Sequence, residues 1–325
     1  MNVRFRQVLS GRINQEHSAL RRWWHHSNKD FFLRVYTFLL THPPSNTTYL
    51  IDLGIHPNLS QTTPFFQKTV LKNFDCYPES PADVLRHHGS PTQQPEEVRA
   101  VLFTHLHFDH FGDGAQSGGL GHAELWMGPG SVAKVRPGYP ENPEAAMWSS
   151  DLPSDGSRKI VEFSIPEDEE DGERGRVFGW EPLGAFERAC DLFGDASVYL
   201  VDAPGHMLGH VMVLVRVRIG RGEGEEGEED DWVLIAGDCF HHADLLREPL
   251  RTARPPQSKS GMHGDGRLAV EMMWRARAMA ERKNVWVIGA HDEEVGEALN
   301  EGKGDIQGLM DLRNWREKGW KRNLR

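Results

Sequence analysis

Four short apolar runs, each passing straight into a polar loop that carries histidine or aspartate, constrain this chain more than any other feature. AVLF at 100–103 leads into THLHFDH, and SVYLV at 197–201 into DAPGH. WVLIA at 232–236 leads into GDC, and VWVI at 285–288 into GAHD. Runs this short and rich in β-branched residues read as buried strands. A serial strand-then-loop habit belongs to α/β architecture, where ligand sites collect at strand ends. Between and around these runs the pattern changes. Segments 62–73 and 81–88 read as helices, and so does 267–283, where Ala, Met, Arg and Glu dominate. Two extended segments, 33–41 and 47–52, flank a Pro-Pro-Ser-Asn turn and predict a hairpin. Residues 129–160 are rich in Pro, Gly and Ser and predict a long substrate-side loop.

The chemistry concentrates in Thr104–His110. His105, His107, Asp109 and His110 fall within six residues directly after a strand. Imidazole and carboxylate are the ligands that catalytic zinc and iron sites take. Residues spaced by two project to one side of an extended chain, so His105 and His107 can share an ion. Asp109 and His110 lie past the turn and can face a neighbouring one. A polar surface turn competes evenly for any one histidine and is the lesser reading for four donors at this spacing behind a buried strand. The remaining candidates are weaker individually. Gly-His at His206 and Gly-Asp at Asp238 are common turn sequences, and His291 alone would mean little. They gain weight from their order along the chain. His210 begins a strand and reads as a supporting residue.

Taken in order, these motifs resemble the metallo-β-lactamase superfamily of hydrolases, marked by His-x-His-x-Asp-His followed by a separate His, an Asp and a final His. The resemblance covers roughly residues 33–295. It implies an αββα sandwich of two mixed sheets flanked by helices, with metals at one edge. It implies two divalent ions, zinc ahead of iron or manganese. His105, His107 and His206 would hold one, Asp109, His110 and His291 the other, with Asp238 bridging and Asp52 supporting the ligands. A metal-bridging hydroxide would open a lactone or ester of a small molecule, with Asp109 orienting it and moving a proton. The flanks EEVRAVLFTHLHFD at 96–109, His122–Leu125 and His291-Asp292 look most like the lactonase-type branch, which opens acyl-homoserine lactones and similar rings. Such lactonases often carry a tyrosine three residues after the bridging Asp. Here that position is His241, either a donor to an oxyanion or a surface histidine. Other chemistries of this scaffold are a phosphodiesterase or nuclease, a thioester hydrolase, and a mononuclear-iron persulfide dioxygenase.

Composition narrows the partners. The formal charge is −11, and residues 167–173 and 223–231 together hold thirteen acidic side chains. An acidic surface repels phosphate backbones, so a small-molecule substrate is expected rather than nucleic acid. Three cysteines without Cys-x-x-Cys spacing make neither a disulfide framework nor a thiolate zinc site. No apolar run reaches membrane-spanning length, and a cytoplasmic protein is expected. The expected organisation is an arm or helix over 1–30, a catalytic domain over 31–300 with an acidic insertion at 221–231, and a helical tail over 301–325. Oligomeric state is not legible.

Overall fold

The computed structural model describes residues 4–15, 31–165, 176–177, 179–220, 229–255, 261–292, 295–296 and 309–324, with backbone alone for 4–15, 31–33, 73 and 176–177. Strands β1 (Arg4–Gln15), β2 (Phe31–His42), β3 (Thr47–Ile51), β4 (Asp75–Pro78), β5 (Val98–Phe103), β6 (Glu124–Met127), β7 (Ile160–Ser164) and β8 (Arg176–Val177) build the first sheet. Strands β9 (Glu181–Leu183), β10 (Phe186–Asp191), β11 (Val198–Asp202), β12 (Val211–Arg218), β13 (Asp231–Ile235) and β14 (Val285–Ile288) build the second. A last strand, β15 (Leu309–Asp311), returns to the first sheet beside β1. Both sheets are mixed: β3, β5, β6 and β7 run parallel, as do β13 and β14, while the hairpins β2–β3 and β12–β13 are antiparallel.

Side-chain alternation along the strands sorts the core into layers. Leu40, Ile51 and Leu102 point inward and meet Val213, Val233 and Ile288 of the other sheet. Their neighbours Leu39, Leu50 and Val101 point outward and meet Ala82, Val84 and Leu85 of helix α2 (Pro81–His88), which follows α1 (Pro64–Asn73). On the far side Met212, Leu214, Leu234 and Val287 pack beneath a long helix, Gly266–Ala280, through Met272, Met273 and Ala276. The result is the expected αββα sandwich. Helix starts follow ordinary capping chemistry: Thr63 and Ser80 accept backbone N–H bonds ahead of Pro64 and Pro81.

Both chain ends depart from expectation. Residues 4–15 form a strand, not a helix or a loose arm. β1 pairs with β2 from Arg4↔Thr41 to Gln15↔Phe31, covering an edge that would otherwise leave a row of backbone groups unpaired. Residues 16–30, with Trp23 and Trp24, lie outside the described residues. Residues 309–324, the described part of the tail, form no helix either; after β15 they run in turns. Trp315 and Trp320 pack on Trp286, with ring centroids 5.9 and 6.3 Å apart. Asn323 donates to the Val287 carbonyl and accepts from its N–H at 3.0 Å, as a strand neighbour would. These long-range anchors outweigh the helix propensity of the Arg, Lys and Glu around them. The first acidic run and most of the second lie outside the described residues; in sequence the second falls between β12 and β13.

Trp286 lies at the junction of β14 and the tail and is 1% exposed. Trp286→Ala should cost about 3–5 kcal/mol in chemical denaturation and expose the 309–324 segment to protease. An unchanged midpoint with an undigested tail would contradict this docking.

Candidate metal centre

The strand ends converge on one edge of the sandwich. β5 delivers His105, and the turn after it starts α3 (Phe108–Phe111), whose first residues carry Asp109 and His110. β11 delivers His206, β13 delivers Asp238 and β14 delivers His291. The short α4 (Ser131–Val135) lies within the 129–160 loop, α5 (Ala243–Arg247) follows His242, and the long helix over Gly266–Ala280 is α6. The seven expected donors form two groups that share Asp238.

In the first group His206 Nε2 lies 3.2 Å from His105 Nε2 and 2.9 Å from His107 Nδ1, which is 3.0 Å from His105 Nε2. Asp238 Oδ2 caps this triangle at 3.7 Å from His105 and 3.5 Å from His206. In the second group His291 Nε2 lies 3.2 Å from Asp238 Oδ1 and 3.4 Å from Asp109 Oδ2, with His110 Nε2 3.1 Å from Asp238 Oδ1. Donors on a tetrahedral zinc with bonds of 2.0–2.1 Å stand about 3.3 Å apart. The spacings bracket that value. His110 Nε2 and Asp238 Oδ1 are buried yet form no hydrogen bond despite their proximity. Buried polar atoms seldom stay unpaired, and a cation between these two would satisfy both. The residues present therefore fit two ions, with one carboxylate oxygen directed to each.

Supporting bonds set the tautomers. His110 Nδ1 lies 2.7 Å from Asp52 Oδ2; a carboxylate only accepts, so Nδ1 carries the hydrogen and Nε2 is free to ligate. Asp52 also takes the Thr104 N–H and hydroxyl, each at 2.7 Å, which ties it to the strand that bears the motif. Asp52 holds this position at φ +60°, the left-handed region that side chains rarely adopt. His291 Nδ1 donates to the Arg34 carbonyl at 2.9 Å. His210 supports Asp238 indirectly: its Nδ1 donates to the Ala203 carbonyl at 2.8 Å and its Nε2 accepts the Asp238 N–H at 3.2 Å. Gly237 precedes Asp238 at φ +51°, where a Cβ would stand 2.9 Å from His210 Nε2.

The electrostatics follow from burial and from Asp238. Burial, reinforced by neighbouring imidazoles, holds His105 well below the ordinary histidine range. Burial likewise depresses His206, against the pull of Asp238. For His110, burial is outweighed by the carboxylates of Asp238, Asp52 and Asp109, which lift it well above that range. Burial of Asp238 is outweighed by His291, His110 and His241, which hold its carboxyl well below the carboxylate range.

His241 is no surface histidine. It is 8% exposed, with Nε2 3.3 Å from Asp238 Oδ2 and its ring stacked 5.9 Å from that of His291. His242 instead caps α5 by accepting the Asp244 N–H. Cys239 is buried in the apolar cluster beneath the long helix and acts as a packing residue. Phe111 and Trp148 line a small cavity with Leu106, Phe108, Phe66 and Met147. Trp126 and Met127 pack in the core. One neighbour escaped sequence reading. His263, from the segment before α6, places Nδ1 3.1 Å from His206 Nδ1. It follows no apolar strand, and its Gly-Asp sequel reads only as the helix cap that Asp265 supplies.

A sandwich of this topology with seven His and Asp donors, all buried except the half-buried His107, converging at its strand ends defines a candidate dinuclear metal centre. The match of residues 30–221 to the Metallo-beta-lactamase superfamily model covers more than half of the chain, which belongs to that superfamily of hydrolases. Among curated relatives it is 28% identical over 292 residues to the "Cytochrome P450 monooxygenase mpaDE" of Penicillium roqueforti, covering 83% of this chain and 30% of that protein. It is 25% identical to the "Gamma-lactamase FDB1" of Fusarium pseudograminearum, covering 89% of this chain and 72% of that one. The chain thus spans under a third of the length of the mpaDE relatives it matches. Among solved structures, an N-acyl homoserine lactone hydrolase with bound N-hexanoyl-L-homoserine superposes with a TM-score of 0.59 at 18% identity, over 94% of this chain and 98% of that one. AidC, a dizinc quorum-quenching lactonase, gives 0.51 at 12% identity, over 89% and 87%. No helix among the described residues is long and apolar enough to cross a membrane.

Two outcomes follow. Asp52→Ala removes the acceptor of His110 and should weaken metal binding about 10–100-fold in a chelator competition; unchanged affinity would contradict the supporting role. His210 is pushed down from 6.5 to about 4 by burial. A group depressed in the fold stabilises above its unfolded value, and that stability is lost as pH falls through the folded one. The Tm of metal-free protein should therefore drop between about pH 6.5 and pH 4, and less steeply in His210→Asn. Parallel profiles would contradict this.

Proposed function

We propose that this chain is a metal-dependent hydrolase that opens a small cyclic acyl substrate, a lactone or a γ-lactam. The observation that carries the reading is Asp238, with its two oxygens divided between two closed sets of donors. The lactonase neighbours and the gamma-lactamase relatives support a cyclic acyl substrate, ester in one case and amide in the other. His105, His107 and His206 would hold one divalent ion, and Asp109, His110 and His291 the other. Zinc fits the donor set, with iron or manganese as the alternatives.

When bound, the two ions supply a water of lowered pKa and a Lewis acid for the carbonyl. The chain's own residues do the rest. Asp109 orients the attacking water and takes its proton. His241 directs its Nε2–H at the carbonyl oxygen as negative charge develops there. The ring C–O or C–N bond then breaks, and Asp109 returns the proton to the leaving atom, giving a hydroxy acid or an amino acid. The buried thiols take no part: burial pushes Cys190 up to about 12, too high for a nucleophile.

The test is elemental analysis with a panel of lactone, γ-lactam, aryl ester, thioester and phosphodiester. Two ions per chain and ring opening are expected. His107→Ala should abolish turnover, while His241→Ala should lower kcat about 10²–10³-fold with both ions retained. Turnover of the phosphodiester without any acyl substrate would overturn the reading, as would one iron per chain with no hydrolysis.

A further inference from the structure

His206 and His263 face each other through like atoms, and this fixes more than a contact. Their Nδ1 atoms are 3.1 Å apart in a buried environment. One must carry a hydrogen and the other a lone pair. His206 Nε2 belongs to the triangle with His105 and His107. If that nitrogen gives its lone pair to an ion, the hydrogen of neutral His206 sits on Nδ1. His263 Nδ1 is then the acceptor, and the hydrogen of His263 sits on Nε2. That Nε2 is buried with no hydrogen-bond partner among the described residues.

The backbone holds the pair together. Gly264 N–H donates to the His206 carbonyl at 2.9 Å and Asp265 N–H to the Gly205 carbonyl at 2.8 Å. Asp265 in turn caps α6 by accepting from Arg267 and Leu268. Gly205 lies at φ +125°, where a Cβ would meet the Ala269 nitrogen at 2.4 Å. The His206 turn therefore sits directly on the first turn of α6, with His263 wedged between.

We infer that His263 is a positioning residue for this centre, accepting the His206 Nδ1–H and so holding the His206 ring with Nε2 towards His105 and His107. The inference rests on the proposed two-ion reading and deepens it. It also makes the two halves of the centre unlike. His110 leans on the carboxylate of Asp52, whereas His206 leans on a neutral imidazole. The ion that depends on His263 is the one at His105, His107 and His206.

The test compares zinc binding, by chelator competition, in wild type, His263→Leu and His263→Asn. Asparagine places an amide oxygen near the Nδ1 position and keeps the acceptor; leucine removes it. The leucine variant should lose affinity for one of two ions about 10–100-fold, and asparagine should restore most of it. Long-range ¹H–¹⁵N spectra of zinc-loaded wild type should show the hydrogen of His206 on Nδ1 and that of His263 on Nε2. Two ions bound with unchanged affinity in a folded leucine variant would overturn this inference and leave the two-ion reading standing. If leucine does not fold, an asparagine variant as weak as a ligand deletion would overturn it. Three ions in wild type would make His263 a ligand and overturn it, and no zinc in wild type would overturn both readings.

Discussion

The buried carboxylate of Asp238 is the constraint on which the rest of this edge depends. Its oxygens lie within 3.7 Å of five imidazoles, those of His105, His110, His206, His241 and His291. A charge so deeply withdrawn from water is tolerable only among compensating groups. Here the compensation comes from residues on four separated segments, so the site and the sandwich cannot be assembled independently. The parallel register of β13 and β14 sets Asp238 beside His291. The bond from Val211 N–H to the Thr104 carbonyl joins the two sheets next to His105.

Around that centre each supporting group has one identifiable task. Asp52 and the Arg34 carbonyl set the tautomers of His110 and His291. His210 holds the backbone of Asp238 rather than its side chain. The left-handed residues Asp52, Gly205 and Gly237 stand where a chain leaving a strand must turn sharply against another element. Only Asp52 among them carries a Cβ into that region, and it is held there by its bonds to Thr104 and His110.

Much of this was legible in the sequence because it is written locally. The motif at 104–110 follows a strand that alternation and β-branching announce, and the serial order of His206, Asp238 and His291 supplies the remainder. Helix α2 was legible to its boundaries because Ser80-Pro81 and Gly89 punctuate it. What was not legible depends on distant partners. β1 is a strand because the edge of β2 needs covering, and no local pattern states that. The tail takes its shape from Trp286 and the edge of β14, against its own helix propensity. His263 gives no signal, since only the docking of α6 on the His206 turn brings it to the centre. The fate of His241 was likewise undecidable until the stacking on His291 placed it inside.

The most direct test of the central claim is an anomalous-difference map from crystals grown with zinc. Two peaks per chain are expected, one on each side of Asp238, the first ringed by His105, His107 and His206 and the second by Asp109, His110 and His291. A single peak, or two peaks that do not share Asp238, would contradict it.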